Sequence, residues 1–273
     1  MARRPAAATR ARHTSAHVPG VVVALAVIGV AFFAIPLAGL IWRAPWRSVW
    51  DVVSTPEARD ALRLSLITSL SAAALSILFG LPLAWVQARV SYPGRRVVRA
   101  LVLLPLVLPP VVAGVALLAA LGRRGLAGQY LADIGVHLPF HMTGAIVAET
   151  FVAMPFLVLT VESAFRTADQ RYEDAARTLG ASRFTVFRRV TLPAIRPALI
   201  AGTVLCWARA LGEFGATITF AGNTQGKTQT LPLFVYITLE GPNSDAAIVL
   251  SLILVAISLV VLVSLRDRWL SAV

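Results

Sequence analysis

Four stretches of this chain, Gly20–Trp42, Leu64–Val86, Ala100–Leu121 and Ala246–Leu265, carry no charged side chain at all. Each is long enough to cross a bilayer, whose hydrocarbon core needs about 20 apolar residues in a helix. Two more runs of spanning length contain ionisable groups: Thr143–Val161 with Glu149, and Ala198–Phe220 with Arg209 and Glu213. Backbone N–H and C=O groups in lipid must be satisfied within the segment, which selects helices. The pattern predicts an all-α integral membrane protein with six transmembrane helices. Composition agrees: 58% of the residues are hydrophobic and only 14% charged. Soluble domains lie nearer 45–50% and about 25%.

The net charge of +12 would suit a nucleic-acid binder, but its distribution gives it another meaning. With the N-terminus inside, seventeen arginines fall in the inner segments, among them Arg3, Arg4, Arg89, Arg99 and Arg166. Seven basic residues, from Arg43 to Lys227, fall in the outer loops. That bias places both termini in the cytoplasm of a multi-pass bacterial plasma-membrane protein. The charge is topology, and nucleic acid is not expected as a partner. Residues 1–19 read as a disordered basic tail, and 20–268 as one transmembrane domain. The first apolar run exceeds a secretory signal core, so it is expected to be retained.

Prolines interrupt the spans at Pro36, Pro82, Pro105, Pro109, Pro110 and Pro155. Each removes a helix hydrogen bond, and the Pro109-Pro110 pair is expected to kink or break the third span. Cys206 is the single cysteine and lies in an apolar run, so no intrachain disulfide is possible. The four histidines are scattered, and no Cys/His cluster has metal spacing. Neither a metal nor a cofactor is expected.

The longest inner loop, 162–197, is patterned. Asp169 is placed to cap a short helix, and Glu173 and Asp174 fall in its first turns, where the helix dipole favours negative charge. Gly180 is a natural stop after Leu179, and Ser182 can cap a second short helix running towards Leu192-Pro193. Ala175, Ala176 and Leu179 form a small apolar patch flanked by arginines. Such a shape suits docking into a groove on a partner, or lying on anionic lipid.

The run Asp174-Ala175-Ala176, then Gly180, then Val190-Thr191-Leu192-Pro193 resembles the E-A-A, G, I-x-L-P signature of ABC-importer permeases. Asp174 stands where Glu is usual and Val190 where Ile is usual; both changes are conservative. The resemblance implies a type I ABC importer permease in which Glu173, Asp174, Ala175, Ala176, Leu179 and Gly180 couple to a separate ATP-binding subunit, present in two copies. No Gly-x-x-x-x-Gly-Lys-Ser/Thr loop occurs in this chain, so it is not expected to hydrolyse ATP or to be an enzyme.

Arg209 and Glu213 are four residues apart and share a helix face with Gly202, Cys206 and Thr217. Ionisable groups at bilayer depth mark function by default. Ala208, Gly212 and Ala216 run beside them at a spacing that favours close helix contact. This face can line the conduction path, lie at a subunit interface, or hold an ion pair that only aids packing. Glu149 is an alternative partner for Arg209. Arg209, Glu213 and Thr217 are the pore or gate candidates. The stretch Ala208–Thr217, with Gly212-Glu-Phe-Gly215 at its core, is similar to the molybdate and sulfate branch of these permeases. The run Gly222–Pro232 and the start of the last span at Asp245 look more like the molybdate branch. That likeness implies a homodimer fed by an extracytoplasmic molybdate-binding protein. Sulfate or tungstate import, and an ion-coupled secondary transporter using Glu149 and Glu213, are the alternatives.

Overall fold

The computed structural model describes residues 19–242 and 244–269. Apart from Pro19, the tail expected over 1–19 lies outside the described residues. The chain divides into two compact units, Met1–Ala44 and Pro45–Val273.

Among its described residues the first unit contains one helix, α1 (Gly20–Trp42), whose ends match the predicted span. Pro36 sits inside it without ending it. No residue of α1 is buried, and its valines, its phenylalanines and all its leucines but Leu40 are exposed. An apolar helix of this length is exposed in this way when lipid is its solvent.

In the second unit, the short α2 (Val49–Val53) leads into α3 (Pro56–Arg89). This helix has 34 residues, more than the expected span, because its start lies before the apolar run. Thr55 accepts the Ala58 N–H, Pro56 occupies the first turn and Glu57 faces the helix dipole. The predicted third span is divided. α4 (Arg95–Leu103) gives way to a 3₁₀ turn at Leu104–Leu106, and α5 (Pro110–Leu121) restarts at the Pro109-Pro110 pair. The expected break therefore occurs at the prolines that cause it. After α6 (Gly128–Asp133) comes α7 (Met142–Thr167), which runs through Pro155.

Two short helices follow, α8 (Arg171–Thr178) and α9 (Arg183–Val186). The chain then passes through a π-turn at Phe187–Thr191 into α10 (Leu192–Leu211). The predicted fifth span does not continue to Phe220: it stops at Leu211, and α11 (Gly215–Phe220) resumes after a three-residue break. α12 (Leu231–Glu240), a ten-residue apolar helix, was not anticipated; α13 (Ser244–Trp269) closes the fold. Among the described residues five helical runs are long and apolar enough to cross a membrane, α1, α3, α7, α9–α10 and α13, with α5 and α12 as shorter apolar helices.

The bundle centres on α7, which packs against α3 and α10. Ala72, Ala84, Ala153, Leu157, Val161 and Phe165 form the middle of this core. Lipid tails are as apolar as leucine, so close backbone approach must supply the attraction between helices. Gly80 provides it on one side: a Cβ there would lie 3.1 Å from the Leu157 side chain. Gly202 provides it on the other, where a Cβ would lie 3.1 Å from Thr160 Cβ.

Candidate coupling surface and buried polar seam

The α8–α9 elbow is built from its caps. Asp169 accepts the Arg171 N–H at 2.9 Å, but from one residue ahead of the cap position expected for it, which Gln170 occupies without a side-chain cap bond. At the other end Gly180 adopts φ +84°, a left-handed conformation that costs an L side chain roughly 1–2 kcal/mol. This lets the Ala181 N–H reach the Ala176 carbonyl at 3.0 Å and the Gly180 N–H reach Arg177 at 2.9 Å, satisfying carbonyls at the helix end. Ser182 accepts the Thr185 N–H at 3.2 Å and starts α9 as expected. The elbow turns Leu179 outward at 87% exposure, with Tyr172 and Phe184 also exposed. Ala175 is exposed and Ala176 half-buried, so the small apolar patch faces away from the bundle.

Glu173 points the other way. It is buried, and its carboxylate meets Arg89 at the end of α3 at 3.2 Å and Arg177 at 3.4 Å. Asp174, its neighbour, is exposed and pairs only with Arg177, at 3.2 Å, among the described residues. The two acids that look alike in sequence thus face opposite environments.

Next to this contact lies an arginine joint that the sequence reading treated only as topological charge. Glu162, expected at the edge of the loop, is in α7 and buried, with Arg166 at 2.6 Å and Arg99 of α4 at 3.6 Å. Arg166 and Arg95 both donate to the main-chain carbonyl of Gln87. That carbonyl belongs to the last turn of α3, where it has no intrahelical partner and the dipole favours cations. The spacing Glu162-x-x-x-Arg166 at the end of an apolar run was the available signal.

The seam lies deeper. Arg209 closes the last turn of α10, and Glu213 lies in the break before α11. Arg209 Nη2 and Glu213 Oε2 are 2.5 Å apart, while Glu213 Oε1 accepts the Ala216 N–H at 2.8 Å. A cation at one helix end and an anion at the next helix start complement both dipoles, so the ion pair spans the break. Thr217, on α11, is fully buried, and its hydroxyl has no hydrogen-bond partner among the described residues. It does not continue the Gly202–Cys206 face of α10, because the helix is interrupted between them. Gly212 is exposed in the same break, so the expected ridge Ala208–Gly212–Ala216 is not a helix contact. The close approach is made instead by Gly215, where a Cβ would lie 2.6 Å from Pro110 Cβ, and by Gly114, 2.5 Å from Thr219 Cβ. Glu149 does not pair with Arg209; it accepts a 2.8 Å hydrogen bond from Thr68. Around it Ser65 accepts the Leu231 N–H and Ser69 accepts Trp207 Nε1, so α3 presents a buried hydroxyl row to α7, α10 and α12. Among the described residues no group of His, Cys, Asp or Glu is arranged to hold a metal.

Residues 76–272 match the family model described as "Binding-protein-dependent transport system inner membrane component". The chain belongs to this family. As such a transport component it is similar to the molybdenum transport system permease protein ModB of Mycobacterium tuberculosis, at 45% identity over 94% of this chain and 97% of that one. It is also similar to the sulfate transport system permease protein CysT of Salmonella typhimurium, at 38% identity over 85% of each chain. In three dimensions the permease resembles a solved bacterial ABC transporter involved in alginate import, with a TM-score of 0.71, 20% identity and coverage of 90% of this chain and 94% of that one. The fold is that of ABC-importer permeases, and the chain is a multi-pass membrane protein of a transport system, not an enzyme.

Proposed function

We propose that this permease forms the membrane channel of an ATP-driven molybdate importer, working as a homodimer with both termini in the cytoplasm. An extracytoplasmic binding protein delivers the oxyanion, and two copies of a separate ATPase subunit dock on the α8–α9 elbows. The observation that carries the reading is the exposed Leu179 beside the left-handed Gly180, on an elbow spaced like the importer signature, in a chain whose full-length likeness is to a molybdenum permease. Isolated apolar side chains are common on surfaces, but Leu179, Tyr172 and Phe184 crowd one short elbow flanked by Arg177 and Arg183. Such a cluster marks a protein interaction site.

In this reading Asp174, Ala175, Ala176, Leu179 and Gly180 meet the ATPase, while Glu173 ties the elbow to the bundle. Arg209, Glu213 and Thr217 lie where the broken fifth span can gate the path. In this conformation the 2.5 Å ion pair spans that break.

The likeness to CysT favours sulfate as a second substrate reading. Reconstitution with the ATPase subunit and binding protein in vesicles decides between them. Labelled molybdate should enter only with ATP, and excess sulfate should not compete. Competition by sulfate would move the assignment to the sulfate branch, and uptake without ATP would remove the coupling reading.

A further inference from the structure

α8 is poorly supported by packing. Its main-chain neighbours are chiefly α9 and the π-turn. Two grooves undercut it, of ≈ 520 Å³ and ≈ 670 Å³, and Glu173 and Thr191 border both. Displacement of the elbow can therefore reach the spans by two routes. One is covalent, through α9 and the π-turn into α10. The other is the Glu173–Arg89 contact, which ends on α3.

The second route has the features of a rigid link. Both side chains are about nine-tenths buried, at 11% and 10% exposure, and 3.2 Å apart. Arg89 Nε and Nη1 are buried and have no partner among the described residues, so Glu173 is the carboxylate on which this guanidinium depends. The end of α3 is in turn pinned two residues earlier, where Arg95 and Arg166 hold the Gln87 carbonyl and Arg166 and Arg99 hold Glu162. A push on Glu173 thus arrives at a point already clamped to α4 and α7. Separating the members of a buried ion pair leaves an uncompensated charge, so the two move together at less cost than they move apart.

We propose that Arg89 and Glu173 form an ionic strut that carries movement of α8 directly to the end of α3, in parallel with the covalent path into α10. The strut rests on the importer reading above, and Arg89 and Glu173 act in it as positioning residues.

The test uses the whole complex, with ATPase subunit and binding protein, in vesicles. Molybdate uptake and ATP hydrolysis are measured together and expressed as molybdate moved per ATP. Because Arg177 also meets Glu173, at 3.4 Å, the cycle is run in an R177Q background, where R89E and E173R should each lower this ratio by roughly tenfold and the swap R89E/E173R should recover most of the loss, as expected for a direct pair. R89K, which keeps charge but not the planar fork, should fall between. If a charge reversal fails to assemble, R89Q and E173Q replace it in the same cycle. Single variants with the ratio of the R177Q background would overturn the strut, and so would a loss that the swap leaves unrepaired in an assembled complex. A wild-type complex that takes up no molybdate removes the substrate reading alone; the cycle is then run with labelled sulfate.

Discussion

The Thr68 hydroxyl on α3 donates a 2.8 Å hydrogen bond to Glu149 Oε1 on α7, and both side chains are almost fully buried. T68V removes the donor and leaves a buried carboxyl unpartnered, which costs about 1–3 kcal/mol. Replacing both partners, as in T68V/E149L, should cost less than the single change, because no polar group is then stranded. Thermal unfolding of the purified permease in detergent reads the difference. A double variant less stable than T68V alone would show that Glu149 has a further buried role.

Glu213 serves two partners in the break between α10 and α11. E213A should therefore cost more than loss of a surface pair, because it strips the partly exposed Arg209 guanidinium of its buried partner and the Ala216 N–H of its acceptor together, with fraying of α11. E213Q retains an acceptor for the Ala216 N–H and should fall between alanine and wild type. Hydrogen exchange at residues 215–220 measures the fraying. Equal exchange in E213A and wild type would mean that the cap does not hold α11.

The sequence made the position and apolar character of the spans legible, because an uncharged run of spanning length admits few structures; their lengths and continuity were less so, since α3 starts before its apolar run and the third and fifth predicted spans are interrupted. The break at Pro109-Pro110 was legible for a local reason, the missing N–H groups. The break at Gly212–Phe214 was not, since Arg209, Glu213 and Thr217 fit an uninterrupted helical period and only the tertiary contact of Gly215 with Pro110 shows why the chain turns. Glu173 and Asp174 were indistinguishable in sequence for a related reason: burial of one depends on Arg89, distant in the chain. The α12 helix has no span signal in the sequence, because ten residues ending in Thr238-Leu239-Glu240 are too short a run to read as a span.

Gly114 lies where α5 meets α11, and a Cβ there would fall 2.5 Å from Thr219 Cβ and 3.0 Å from the Ala216 carbonyl. Thr219 cannot swing aside, because the atom in the way is its Cβ, which the α11 backbone fixes and no rotamer change moves. G114A should destabilise by about 1–3 kcal/mol through overpacking. The shift is read as a lowered melting temperature in detergent. In a double-mutant cycle T219G, which removes that Cβ, should relieve part of it, and no relief would place the clash on the Ala216 carbonyl.

Gly180 separates two effects. A Cβ there meets nothing within 4 Å, so G180A introduces only left-handed strain, about 1–2 kcal/mol. G180D adds a negative charge beside Leu179, on the surface proposed to meet the ATPase. G180A should retain most uptake, and G180D should leave a folded protein that hydrolyses ATP without moving molybdate. Normal uptake by G180D in vesicles would exclude this elbow as the coupling element.

Leu179 gives the sharpest contrast between stability and assembly. At 87% exposure its side chain buries almost nothing within the permease. L179A should therefore change the stability of the isolated chain by no more than about 0.5 kcal/mol. If the elbow seats in the ATPase subunit, the same side chain is an apolar anchor in the complex, and its loss should weaken association by about 2 kcal/mol, or roughly thirtyfold in Kd. L179D should weaken it further by burying a charge. Melting temperature and subunit affinity, measured on the same preparations, give the two quantities separately. Unchanged affinity in L179D would mean that the ATPase is held elsewhere, and that the exposed leucine belongs to another contact.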